Sequence, residues 1–84
     1  MNMEWQTVGT YSGIGTEYEV QVSEGVYLRV RLTVAGPRVR VIEERFCANY
    51  AEFAAAQSAL GIEMVRRAIA ELVAEQQLEE EAGR

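Results

Sequence analysis

The groups able to do chemistry in this chain are few in kind. All thirteen acidic residues are Glu, all eight basic residues are Arg, and there is no His, Lys or Asp. A general acid or base working near neutral pH is usually His, or a Glu or Lys displaced by burial. No Ser–His, Cys–His or Ser–Lys pair can be assembled from these residues. Glu43 and Glu44 are adjacent acids, but neighbours along a strand point to opposite faces and cannot act on one substrate atom. Cys47 is the single cysteine, so no intramolecular disulfide can form. Its place at a strand–helix junction suits a small apolar side chain. The absence of His removes the commonest ligand of zinc, copper and iron. Gly13-Ile14-Gly15 has the start of a phosphate-cradling loop, but the dinucleotide fingerprint requires a third glycine three residues on and then a helix. Tyr18 holds that position and a strand follows, so the segment reads as a hairpin turn. The expectation is a protein that is not an enzyme, with no catalytic residues, no metal and no cofactor.

One constellation remains. Tyr27, Arg29, Arg31, Arg38 and Arg40 are expected together on an exposed sheet face. Four guanidiniums beside an aromatic ring can grip carboxylates on a protein surface, or stack bases and hold phosphates of a single strand. Exposed arginines crossed by Glu17 and Glu19 are also an ordinary solvated face.

The strands that would carry these residues are legible from alternation. Thr16 to Ser23 sets Tyr18, Val20 and Val22 against Glu17, Glu19 and Gln21. Val26 to Val34 sets Val26, Leu28, Val30, Leu32 and Val34 against Tyr27, Arg29, Arg31 and Thr33. Period-two patterns of this kind mark half-buried strands with one wet side. A three-residue loop, Ser23-Glu24-Gly25, predicts pairing of Val22 with Val26, Val20 with Leu28 and Tyr18 with Val30. Gly25 then takes the left-handed place of a G1 bulge, and Glu19 and Glu17 lie opposite Arg29 and Arg31. The turn Ala35-Gly36-Pro37-Arg38 leads to a fourth strand, Arg38 to about Cys47, with Val34 opposite Val39 and Leu32 opposite Val41. Alternation slips at Val41-Ile42-Glu43, which predicts a bulge that returns Phe46 to the core. Trp5 to Tyr11 is a weaker first strand.

From Asn49 the pattern becomes helical. Asn49 and Glu52 form an N-cap with a capping-box partner. Phe53, Leu60, Met64, Val65, Ala68, Ile69 and Leu72 recur at spacings of one helix face, and Gly61 is the weak interior point, costing about 1 kcal/mol against Ala. Glu79-Glu80-Glu81 lies where the helix dipole disfavours negative charge, so fraying is expected after about Leu78. The fold class is therefore α+β: a four-stranded antiparallel β-meander (about 4–47), then one long C-terminal amphipathic helix (about 50–78) packed on one sheet face, and a frayed acidic tail (79–84).

At 84 residues the chain has room for one domain with a thin core. A helix of about 40 Å is longer than four strands can cover. Either it breaks near Ser58 to Gly61, or its far half packs on another subunit. Met64, Val65, Ile69, Leu72, Val73 and Leu78 are the self-association candidates, with Glu71 and Glu75 placed to meet Arg66 or Arg67 of a neighbour. A homodimer is the favoured assembly. Net charge is −5, with five Arg against six Glu up to Cys47 and three Arg against seven Glu from Ala48. That balance disfavours broad nucleic-acid or anionic-membrane affinity. No apolar run spans a bilayer, and Met1 to Thr10 lacks the features of a signal peptide, so a cytoplasmic setting and no membrane partner are expected. The expected function is a self-associating protein-interaction module, an adaptor or inhibitor-like small acidic protein, that binds another protein. The alternative is a single-stranded nucleic-acid-binding protein that uses the arginine face.

Overall fold

The computed structural model describes residues 5–83. The expected strand start at residue 4, and Arg84 at the end of the tail, lie outside these. Four antiparallel strands form one sheet in the order β1 (Gln6–Ser12), β2 (Glu17–Glu24), β3 (Leu28–Ala35) and β4 (Val39–Cys47). One helix, α1 (Tyr50–Ala82), follows and packs on a single sheet face. The fold is the α+β meander-and-helix that alternation and helical spacing predict.

The core is two layers. Tyr18, Val20, Val22, Val30, Leu32 and Val34 come from the sheet, and Phe53, Ala56, Leu60, Met64 and Ala68 from the helix. Leu32, Leu60 and Val30 are sealed from solvent. Every helix residue in this set lies three or four positions from the next, so a single stripe faces the strands. Asn49 caps the helix by accepting from the Glu52 N–H at 2.9 Å, and the Glu52 carboxylate reaches back to the Ala48 N–H at 2.9 Å. One donor that the first turn leaves unpaired, the Glu52 N–H, is thereby satisfied, together with the Ala48 N–H just before the cap.

The register of β2 on β3 differs from the expected one. Val22 pairs with Val30, Val20 with Leu32 and Tyr18 with Val34. The shift is an even number of residues, so each side chain keeps its face while the connection moves to Gly25-Val26-Tyr27. Val26 is then 94% exposed instead of opening the apolar face. Gly25 carries no left-handed backbone; Gly15, at φ +71°, is the described residue that does. The expected pairs fail with the register: Glu19 lies opposite Thr33, and Glu17 opposite Ala35. The observed register sets Val30, Leu32 and Val34 under the helix opposite Val22, Val20 and Tyr18, and this packing overrides the turn preference at Gly25.

The β3–β4 turn shifts in the same sense. Ala35 pairs with Val39 and Thr33 with Val41, closing a loop of Gly36-Pro37-Arg38. The expected bulge is present, with Ile42 as the extra residue between Val41 opposite Thr33 and Glu43 opposite Leu32. It does not bring Phe46 inward. Phe46 pairs with Arg29 and is 67% exposed on the face away from the helix. A second bulge at Val8 interrupts the β1–β2 ladder, which accounts for the weak alternation of the first strand.

The helix is unbroken through Gly61 and continues to Ala82, past the expected fraying point at Leu78. Its last anchor on the sheet is Glu71. That carboxylate accepts from the Ile14 N–H (2.8 Å), from Thr16 Oγ1 (2.6 Å) and from the Tyr18 hydroxyl. The long dimension of the molecule, 56 Å, is set by the helix projecting beyond the sheet.

Candidate functional site

The sheet has one covered face and one open face. Register places Glu17, Glu19, Gln21, Ser23, Arg29, Arg31, Thr33, Val39, Val41, Glu44 and Phe46 on the open side. Trp5 joins them just before β1. Its ring lies under both guanidiniums, 3.9 Å from Arg31 Cζ and 4.7 Å from Arg29 Cζ. Phe46 lies 5.9 Å from Arg29 Cζ on the other side and meets Tyr27 edge-on at 6.3 Å. Trp5, Tyr27, Arg29, Arg31 and Phe46 are therefore one continuous cluster at the end of the sheet nearer the start of α1.

Polar partners hold this cluster in place. Arg31 Nε donates to the Gln21 side-chain oxygen at 2.8 Å, and Gln21 in turn donates to Glu19 at 2.9 Å. Thr7 donates to the same Glu19 carboxylate at 2.9 Å. Arg29 pairs with Glu44 across 3.7 Å, while its Nε is buried and has no hydrogen-bond partner among the described residues. Beyond Arg31 the face becomes a shallow hollow lined by Glu17, Glu19, Thr33, Ala35, Val39, Arg40 and Val41. Val39 is 74% exposed, so the hollow ends on an apolar shelf.

Three of the five expected residues converge here, and two do not. Tyr27, Arg29 and Arg31 are in the cluster. Arg38 lies in the β3–β4 turn, where its carbonyl accepts from Gly36. Arg40 pairs with Val34, whose side chain is in the core, so it stands outside the aromatic cluster, although it borders the hollow beyond Arg31. The one-residue change in the β3–β4 register is the cause, since it exchanges the two faces of β4 before the bulge. Val39 and Val41 take the open-face positions expected for Arg38 and Arg40. With Arg29, Arg31 and Arg40 against Glu17, Glu19 and Glu44, the face is balanced, not basic. Trp5 and Phe46 complete it, and neither was expected there. Trp5 precedes an irregular strand, and Phe46 depended on how one bulge would turn its side chain.

The helix carries a second feature. Met64 is buried against its own sheet, so it leaves the self-association set, as does Glu71, which is held by the β1–β2 turn. Arg67 and Arg66 are likewise engaged within the helix, at 2.9 and 4.0 Å from Glu63. Ile69, Leu72, Val73 and Leu78 remain 43–62% exposed, and Val65 is half-buried. Ile62, 63% exposed, adds to them. Ser58, Gly61, Ile62, Val65 and Arg66 line a shallow groove on this flank. Cys47 is half-buried against the core. Glu43 and Glu44 pair with Leu32 and Arg31 and so point to opposite faces. No group of three or more His, Cys, Asp or Glu among the described residues could hold a metal, and no described helix is long and apolar enough to cross a membrane. No family model, curated protein or solved structure matches the chain.

Proposed function

We propose that the chain is a non-catalytic, self-associating interaction module that presents the open sheet face to another protein. The observation that carries this reading is the cluster of Trp5, Tyr27, Phe46, Arg29 and Arg31 beside the Val39–Val41 shelf. Trp, Tyr and Arg dominate the energetics of protein interfaces, because they bury large rigid surfaces while keeping a polar handle. A partner with an apolar anchor for the valine shelf and a carboxylate for Arg31 fits both ends of the face. Set against this is single-stranded nucleic-acid binding. Strand binders need a basic groove and free aromatic faces for bases. Here the Trp5 ring is already covered by two guanidiniums, and the arginines on the face are matched by as many acids.

The test is affinity capture from the native host with the wild-type chain and with a Phe46→Ser, Arg31→Gln double variant, alongside titration of labelled single-stranded DNA and RNA. A protein retained by the wild type and released by the variant is the expected result. Micromolar or tighter nucleic-acid binding with a steep salt slope, lost in the same variant, reverses the assignment.

A further inference from the structure

Helix α1 has two apolar faces, and its own sheet covers one. Taking 100° per residue, Phe53, Leu60, Met64 and Ala68 mark the sheet direction, and Ser58, Gly61, Ile62, Val65, Ile69, Leu72 and Val73 form a second stripe roughly 125° away. The stripe contains no charged residue. Its two ends also differ in size. Ser58 and Gly61 make a depression, and a Cβ added at Gly61 would meet nothing within 4 Å. Ile69, Leu72 and Val73 stand proud at the other end, where the helix leaves the sheet behind.

We infer that a second copy of this chain covers the stripe, with the two helices antiparallel and the dyad between Val65 and Ile69. This rests on the self-association in the proposed function and specifies its contact. A twofold at that point sets Leu72 of the partner subunit on Gly61, Val73 of the partner subunit beside Ile62, and Val65 against Ile69 of the partner subunit. Each protruding end fills the other's depression. The match is isologous, as closed dimers require. The stripe is turned by more than a right angle from the sheet direction, which leaves it open to a partner helix. The exposed parts of Ile62, Ile69, Leu72 and Val73, with Val8 beside the groove, amount to roughly 400–450 Å² per copy, on the order of 850 Å² for both. Ser58, Gly61 and Val65 add to this along the same stripe, which brings the contact near the roughly 1,000 Å² at which specific interfaces begin. Arg66 sits at the rim, where its own Glu63 offsets its charge.

Light scattering from roughly 100 µM through about a hundredfold dilution tests this. The expected mass at the upper end is twice the 9.4 kDa of one chain. A Cβ at Gly61 meets nothing within 4 Å, so Gly61→Leu can fill the depression, and it should raise the dimer dissociation constant at least tenfold while helical content is retained. Leu72→Glu, outside the core, should do the same. A 9.4 kDa species throughout, or a dimer indifferent to both variants, overturns the inference. Phe46→Ser should leave the mass unchanged, so a monomer that still captures a partner through Phe46 refutes the dimer alone.

Discussion

Removing the Glu71 carboxylate should uncouple the second half of the helix from the β1–β2 turn. Glu71 accepts from the Ile14 N–H, Thr16 Oγ1 and the Tyr18 hydroxyl, and the Tyr18 side chain is buried. A hydrogen bond to a charged group is worth about 1.5–3 kcal/mol. Here three donors share one half-buried acceptor, so their values do not add. Glu71→Ala should cost about 2–3 kcal/mol, most of it from leaving the Tyr18 hydroxyl unpaired. For a chain of this size that lowers the thermal midpoint by roughly 10–20 °C. Glu71→Gln keeps a carbonyl acceptor and should recover about half.

The same site sets a pH dependence. Hydrogen bonds from Thr16 and Tyr18 hold the Glu71 carboxyl below its ordinary value near 4.5, with the Ile14 N–H assisting and burial opposing. Because the folded state prefers the carboxylate, protonation favours unfolding. The contribution is full above about pH 4.5 and is lost as pH falls through the lower folded value. At the other end, the Glu71 hydrogen bond and burial raise the Tyr18 phenol above 10, so its contribution is full below pH 10 and is lost as pH rises past the folded value. Urea melts of the wild type and both variants from pH 3 to 7 read the acid limb directly. A cost under about 0.5 kcal/mol for Glu71→Ala, or a wild-type advantage over Gln that persists unchanged at pH 3, would refute the latch.

Three other outcomes follow from positions in the fold. Gly15→Val should destabilise by more than about 1 kcal/mol, because φ +71° is hostile to a β-branched residue, whereas Gly25→Ala should be near neutral; paired denaturant melts separate them. Gly13→Ala should weaken the domain by roughly 1–2 kcal/mol, since its Cβ would overlap the Glu71 carboxylate, and the loss should shrink in a Glu71→Ala background. Leu60→Ala should cost about 2–5 kcal/mol, because Leu60 is wholly buried between helix and sheet, with calorimetry as the measure.

Local patterns in this chain carried most of the fold. Period-two alternation in β2 and β3 and the Asn49–Glu52 cap are short-range regularities, and each appears in the structure. Of the expected helix stripe, Phe53, Leu60, Met64 and Ala68 face the sheet, whereas Val65, Ile69 and Leu72 lie outside the core on a second face. The slip at Val41-Ile42-Glu43 likewise located a bulge before any coordinates. The missing His, Lys and Asp narrowed the chemistry without reference to shape.

Tertiary structure decided which side chains share a surface. Alternation specifies faces but not depth of pairing, and any even slide of β2 on β3 satisfies it equally. The slide that occurs was chosen by how well Tyr18, Val20 and Val22 pack over Val34, Leu32 and Val30 under the helix, a sum over contacts that no single turn residue reports. A one-residue difference at the next turn was enough to take Arg38 and Arg40 out of the aromatic cluster and put Val39 and Val41 on the open face. Glu71 makes the same point from the opposite direction. On a helical wheel it is one acid among many, and only the approach of the Gly13–Thr16 turn, more than fifty residues away in sequence, makes it the clasp between the layers.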